Sequence, residues 1–317
     1  VKAQGRRIPG VCPAGERRRL CLVQGEARSL PLRGNGVKEQ LGCCLIGNCR
    51  SMCNIEVAMV NRSAEIWERI RKEGADMAAR EPMLASFLHA TILNHSDLGS
   101  ALVFVLANKL GGPVISPMNL RDIFEFAYQG SNELVDAACM DIEAVVSRDP
   151  AIQLYSTPLL YLKGFHAIEA YRVAHRLWQL DRRELALFLQ SQISEVFNVD
   201  IHPAAVLGHG LMFDHASGIV IGETSVVGDN VSILHNVTLG GTGKEVCDRH
   251  PKIASDVMIG AGAKILGNIH IGQGVKIGAG SVVLEDVPPH VTVVGVPARI
   301  VGLCSDDHPA FDMDQRI

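Results

Sequence analysis

The chain has 317 residues, room for two domains of ordinary size, and 47% hydrophobic against 20% charged residues allows a sizeable core. Its net charge of −4 excludes the basic surplus of a nucleic-acid binder. No apolar run reaches the roughly 18–20 residues of a membrane-spanning helix, so neither nucleic acid nor membrane is an expected partner.

Residues 1–51 stand apart. They hold ten Lys/Arg against three Glu, and six of the nine cysteines (Cys12, Cys21, Cys43, Cys44, Cys49, Cys53) lie before residue 54. The segment has no helical or strand periodicity, and the first methionine of the chain is Met52. A transit peptide, a disordered basic arm and upstream sequence read through from an early start all fit. The last is favoured, with a true start at Met52 or Met59. Only Cys139, Cys247 and Cys304 follow, which is no disulfide framework and suits a reducing cytoplasm.

From Ala64 to Phe197 the period is helical. Ala64–Ala79 is amphipathic and Pro82 ends or restarts it. Ser96-Asp97 can cap a segment through Leu98, Leu102, Val105 and Leu106, which Gly111-Gly112-Pro113 stops. Leu120–Tyr128 and Glu133–Val146 follow, then a start at Ser156-Thr157-Pro158 for a helix to about Leu180, and a last helix over Arg183–Phe197.

After Asp200 the period becomes six. Ile253, Ile259, Ile265, Ile271, Ile277 and Val283 are evenly spaced, as are Ile221, Val227, Ile233 and Leu239. Ile201, Leu207 and Phe213 keep the spacing two residues out of phase. A period of six fits one face of a triangular coil, with an aliphatic residue inward on each face and small residues near the corners. Stacked coils bury a continuous aliphatic column. The expected fold is therefore α+β: a helical domain over 52–197, then a parallel β-helix over 198–302 that resembles the left-handed kind. Residues 303–317 are expected to form a flexible tail. Leu239 to Ile253 is too long for one repeat, so residues 240–252 must leave the coil as a loop, where binding residues tend to lie.

Polar residues that a coil does not need gather at Asp200 and His202, at Asp214-His215, and at Asp248, Arg249 and His250. An imidazole with a carboxylate partner is what acyl transfer to an alcohol requires, since the imidazole takes the hydroxyl proton and the carboxylate orients it. From spacing alone these are equally solvated corner residues.

The segment DIHPAAVLGHGLMFDHASGIVIGETSVVGDNVSILHNVTLGGTG (200–243) resembles the serine acetyltransferase family. DRHPKI (248–253), EPMLASF (81–87), RDPAIQLYSTPLLYLKGFHA (148–167) and GVPARIVG (295–302) extend the likeness over about residues 64–315. The resemblance implies acetyl transfer from acetyl-CoA to the hydroxyl of L-serine, the first step of cysteine synthesis from serine, inhibited by L-cysteine. It implies His215 as general base with Asp200 as its partner, Asp149 and Asp214 on the substrate ammonium, Arg249 on the substrate carboxylate, and His250 completing the serine pocket. Acetyl-CoA, a co-substrate rather than a resident cofactor, would lie near Gly241, Ala261 and Ala279 with Lys276 and Arg299 at its phosphates. No metal is implied. It further implies a homotrimer or a hexamer made of two trimers, in the cytoplasm, and capture of the C-terminal Ile317 by O-acetylserine sulfhydrylase. Two rivals keep the coil: a sugar or another amino acid as acceptor, and a zinc site on histidines such as His209, His215, His235 and His250.

Overall fold

A computed structural model of the chain describes residues 46–129, 132–243, 246–304, 306 and 308–316. The expectations for residues 1–45 and for Ile317 lie outside these. Two units emerge, Val1–Ala58 and Met59–Ile317, and the site lies wholly in the second. Among the described residues no helix is long and apolar enough to cross a membrane.

The helical part runs through α1 (Ile46–Arg80), α2 (Ala85–Leu88), α3 (Leu98–Leu110), α4 (Pro117–Tyr128), α5 (Glu133–Arg148), α6 (Ser156–Tyr161), α7 (Lys163–Gln179) and α8 (Arg183–Phe197). Asp97 caps α3 in a reciprocal capping box with Ser100, as the Ser96-Asp97 signal implies. The single helix expected from Ser156 to about Leu180 is two helices instead. Leu162 adopts an extended backbone (φ −90°, ψ 109°) that a helix cannot pass through, and this sets Lys163 at the start of α7.

The coil is built of short strands on the faces of a triangular prism, two or three residues long up to a longer closing hairpin. Face A stacks β1 (Val199–Ile201), β4 (Ile219–Ile221), β7 (Thr238–Gly240), β10 (Lys264–Leu266) and β13 (Val282–Val283). Face B stacks β2 (Val206–Leu207), β5 (Val226–Val227), β8 (Lys252–Ile253) and β11 (His270–Ile271). Face C stacks β3 (Met212–Phe213), β6 (Ser232–Ile233), β9 (Met258–Ile259), β12 (Lys276–Ile277) and β14 (Val291–Gly295), then turns back antiparallel into β15 (Ala298–Leu303). Every aliphatic residue of the six-residue pattern is buried, Ile233, Leu239, Ile259 and Ile265 completely. Their column is continuous with Leu106 and Phe124 of the helices, so helices and coil share one core.

A buried polar joint fixes the helices on the first coil. Arg172 of α7 pairs with Asp141 of α5 at 2.5 Å and donates to the Gly208 carbonyl at 2.9 Å, while Asp141 accepts from the Leu211 amide at 2.7 Å. Gly164 lies so close to the coil that a Cβ there would meet the Phe213 carbonyl oxygen at 2.1 Å. The tail is packed where flexibility is expected. A helical turn α9 (Pro309–Asp312) buries Pro309 and Ala310, and Ser232 donates to the Ala310 carbonyl at 2.8 Å. The Arg148 guanidinium lies 4.4 Å from the Phe311 ring centroid.

Candidate functional site

Besides the 240–252 loop and a shortening by two residues between Val283 and Val287, the coil is irregular at His215. Ile201 pairs with Ile221, twenty residues on, whereas Ile221 pairs with Leu239, eighteen on. The two extra residues are taken up at the corner between faces C and A. There His215 (φ 55°) and Ala216 (φ 58°) both adopt the left-handed conformation, which costs about 1–2 kcal/mol per non-glycine residue. The bulge pushes the imidazole outward, leaving its side chain 76% exposed. It is braced from below by Lys163, whose ammonium donates to the Ser217 hydroxyl.

A cavity of about 360 Å³ opens beside it, between the C-terminal end of α5, the start of α7 and the β3 corner. Asp149, Asp214, His215 and Lys163 line it. Asp149 caps the C-terminus of α5 and accepts from the Ala151 amide at 2.9 Å, which fixes its carboxylate. Asp214 Oδ1 stands 3.7 Å from His215 Nε2. Thus Asp149, distant in sequence, converges with the adjacent pair Asp214-His215 on one hollow: two carboxylates suited to an ammonium group and an imidazole suited to taking a proton.

The expected pairing of Asp200 with His215 is not formed. Asp200 lies within β1 on face A, past the corner, and Gln190 of α8 donates to its Oδ1 at 2.7 Å. The nearest carboxylate to the imidazole is Asp214.

Arg249 and His250 occupy a different corner, between faces A and B, and the sequence gives no hint of what holds them there. Thr224 is the hub. Its hydroxyl accepts from the amides of Arg249 (3.0 Å) and His250 (3.1 Å) and lies 2.9 Å from His250 Nδ1. The Thr224 amide also donates to that nitrogen at 3.1 Å, so Nδ1 is the acceptor and Nε2 carries the proton. Burial, with the Arg249 charge next to it, lowers the His250 pKa. The ring packs against Gly222, where any Cβ would sit 2.1 Å from its Cδ2 and Nε2. Arg249 pairs with Glu223 at 2.7 Å, and its hydrogen bond, aided by its charge, holds the Glu223 carboxyl below its usual range.

The remaining expected residues divide between these corners. Extending the face C register by two residues puts His215, His235, Ala261 and Ala279 one above another at the first corner. Backbone bonds from Gly262 to the His235 carbonyl (2.9 Å) and from Gly280 to the Ala261 carbonyl (2.8 Å) tie the stack. The same register carries on to Gly295, so the β14–β15 hairpin with Arg299 closes the column. Arg299 lines a further cavity of about 320 Å³ there. Gly241 follows β7 and belongs to the Arg249 corner. Lys276 departs from expectation. It points outward on face C under the tail, only 9% exposed, and its ammonium donates to the Arg316 carbonyl at 2.5 Å. In this arrangement it is engaged by the tail and is not open to a phosphate.

Comparison with known proteins agrees with this architecture. Residues 66–170 match the family described as serine acetyltransferase, N-terminal, and residues 250–285 the bacterial transferase hexapeptide repeat. A serine acetyltransferase of Haemophilus influenzae is 61% identical over 251 residues, which is 79% of this chain and 94% of the relative. A solved serine acetyltransferase in complex with cysteine superposes with a TM-score of 0.79 at 60% identity, covering 80% of this chain and 99% of the other. Another in complex with CoA gives 0.73 at 60% identity, covering 75% and 100%.

Proposed function

The chain belongs to the serine acetyltransferase family, and on that premise we propose how its residues divide the work. The reaction moves the acetyl group of acetyl-CoA onto the hydroxyl of L-serine, giving O-acetyl-L-serine and CoA, and L-cysteine inhibits it. His215 is the general base. Asp149 and Asp214 hold the serine ammonium, which sets the hydroxyl toward the imidazole. One oxygen of Asp200 is bonded to Gln190, and the other remains to orient the exposed imidazole as it turns in on substrate, since catalytic hydrogen bonds often tighten only then. Acetyl-CoA lies along the column of His235, Ala261 and Ala279, where small residues let backbone approach closely, and Arg299 meets its phosphates at the far end.

The observation that carries this reading is the cavity in which Asp149, Asp214 and His215 meet at the head of that column. Arg249 and His250 lie across face A from it. We infer that they serve the cavity of a neighbouring copy, giving the serine carboxylate a planar fork and a neutral imidazole N–H, which makes the working unit an oligomer, the trimer that the family resemblance implies. Ile317 remains the residue proposed to engage O-acetylserine sulfhydrylase.

The ammonium assignment has a direct test. Asp149→Asn and Asp214→Asn should each raise KM for serine by about tenfold or more, the loss of a charge-assisted hydrogen bond, with KM for acetyl-CoA unchanged. Equal effects on both substrates would count against it.

A further inference from the structure

We propose that Lys163 is a positioning residue of the same reaction: by holding the Ser217 hydroxyl it fixes the strained corner that aims the His215 imidazole. The inference rests on the assignment of His215 as base and goes further, naming the helical residue on which the aim of that base depends.

The corner is an improbable piece of backbone. His215 (φ 55°), Ala216 (φ 58°) and Gly218 (φ 74°) are all left-handed, close together in one turn. Conformations so sparsely populated persist only where the surroundings over-determine them. Backbone bonds supply part of this. The Asp214 amide donates to the Ile233 carbonyl at 2.9 Å, the Gly218 amide to the Asn198 carbonyl at 2.8 Å, and the Ser217 carbonyl accepts from the Asn236 amide at 2.7 Å. Ala216 turns inward and is fully buried while His215 turns out to solvent, so neither side chain ties the corner to the helices. Lys163 supplies that tie, its ammonium donating to the Ser217 hydroxyl. Ser217 in turn donates its amide to the His215 carbonyl at 2.7 Å, so the grip on Ser217 is passed to the base.

The placement of Lys163 is itself fixed. The extended backbone at Leu162 starts α7 at this residue, and its neighbour Gly164 lies against Phe213, where a Cβ would stand 2.1 Å from the carbonyl oxygen. Helix α7 is thereby docked on β3, the strand that runs into the corner, and Lys163 reaches past His215 to Ser217. A lysine also suits the charge of the site. It lines the same hollow as Asp149 and Asp214, so its positive charge offsets one of the two carboxylates before serine arrives, and the serine ammonium offsets the other. A neutral donor could bond Ser217 but would leave that repulsion in place. Proton transfer from the serine hydroxyl needs the accepting nitrogen within hydrogen-bond reach. A shift of about 1 Å in the corner that carries the ring is therefore felt in kcat.

The test is steady-state kinetics of CoA release on the assembled enzyme, comparing wild type with Lys163→Met, Lys163→Arg, Ser217→Ala and the double variant Lys163→Met with Ser217→Ala. Lys163→Met should lower kcat by about ten- to a hundredfold, the scale of a misplacement of about 1 Å, with KM for acetyl-CoA within about twofold and KM for serine not raised. Lys163→Arg keeps a charged donor and should recover most of the loss. Ser217→Ala should lose kcat to a similar extent, and the double variant should fall no further than the worse single one, since both remove one contact. A side chain that only stabilised the fold would lower the denaturant midpoint and leave kcat of the assembled enzyme intact. The proposal is overturned if Lys163→Met keeps kcat within about twofold, if the two single losses multiply, or if Arg is as impaired as Met. Should Lys163→Met fail to assemble, Ser217→Ala, which leaves α7 untouched, is read alone by the same fall in kcat. His215→Ala runs alongside. Serine-dependent release that survives it refutes the reading of the base, whereas collapse there with a normal Lys163→Met refutes only the positioning role.

Discussion

Thr224 holds the Arg249–His250 pair through two backbone amides and one imidazole nitrogen, so its hydroxyl should matter more than its size suggests. Thr224→Val keeps the shape and strands both amides. Leaving a donor unsatisfied costs about 1–3 kcal/mol, enough to loosen the corner without unfolding the coil. Steady-state kinetics should show KM for serine raised about tenfold or more with kcat little changed. An unchanged KM would mean that the Gly222 seat and the Glu223 pair suffice. In the sequence Thr224 is an ordinary corner residue, one of many polar positions between repeats, and nothing marks it as a hub. Lys163 is equally silent, since its contact with Ser217 depends on where α7 docks. By contrast His215, Asp149, Asp214, Arg249 and His250 could be named as candidates from the serine acetyltransferase resemblance, and two of them disrupt a strict repeat. What spacing could not supply was their partition between two corners, or the capture of Asp200 by Gln190.

The coil was the most legible element, because its inward residues recur every six positions and any slip is visible as a phase change. The slip of two residues between Phe213 and Ile221 marks the His215 corner, and the eight extra residues between Leu239 and Ile253 mark the loop that delivers Arg249. Helices were read less well. The apolar stripe runs through Leu162 unbroken, so the interruption there follows from docking against β3 and not from local propensity. The tail has no periodicity, yet it packs, because Phe311 and Ala310 find Arg148 and Ser232. Helix α7 also carries the molecule's clearest acid weakness. His166 is buried with Nε2 2.7 Å from the Leu159 carbonyl, and burial lowers its pKa to about 4. The neutral ring is therefore the native form. Its contribution is complete above the ordinary value of 6.5 and is lost as pH falls toward 4, because the unfolded chain takes up the proton first. Denaturant midpoints should fall over that window by the equivalent of about 3 kcal/mol at most. In His166→Gln the fall should flatten, and an unchanged slope would assign the acid sensitivity to other groups.

On the scale of the whole molecule, the two half-sites call for a partner. His215 with its cavity and Arg249 with His250 lie at opposite ends of face A, so one chain presents both halves without joining them. A cyclic assembly would bring the second corner of one copy to the first corner of the next. His215→Ala and Arg249→Ala, each impaired alone at low serine, should then complement when unfolded together and reassembled. Random mixing should restore about a quarter of the sites, since each needs its two intact halves from different parents. No recovery in mixed assemblies would place both halves within one chain. The central claim, acetyl transfer to serine with His215 as base, is tested most directly by CoA release from acetyl-CoA with L-serine in wild type and His215→Ala. The account predicts serine-dependent release that falls about a thousandfold in the variant, within the range expected for losing a general base, while CoA still binds. Release that persists in His215→Ala would contradict it.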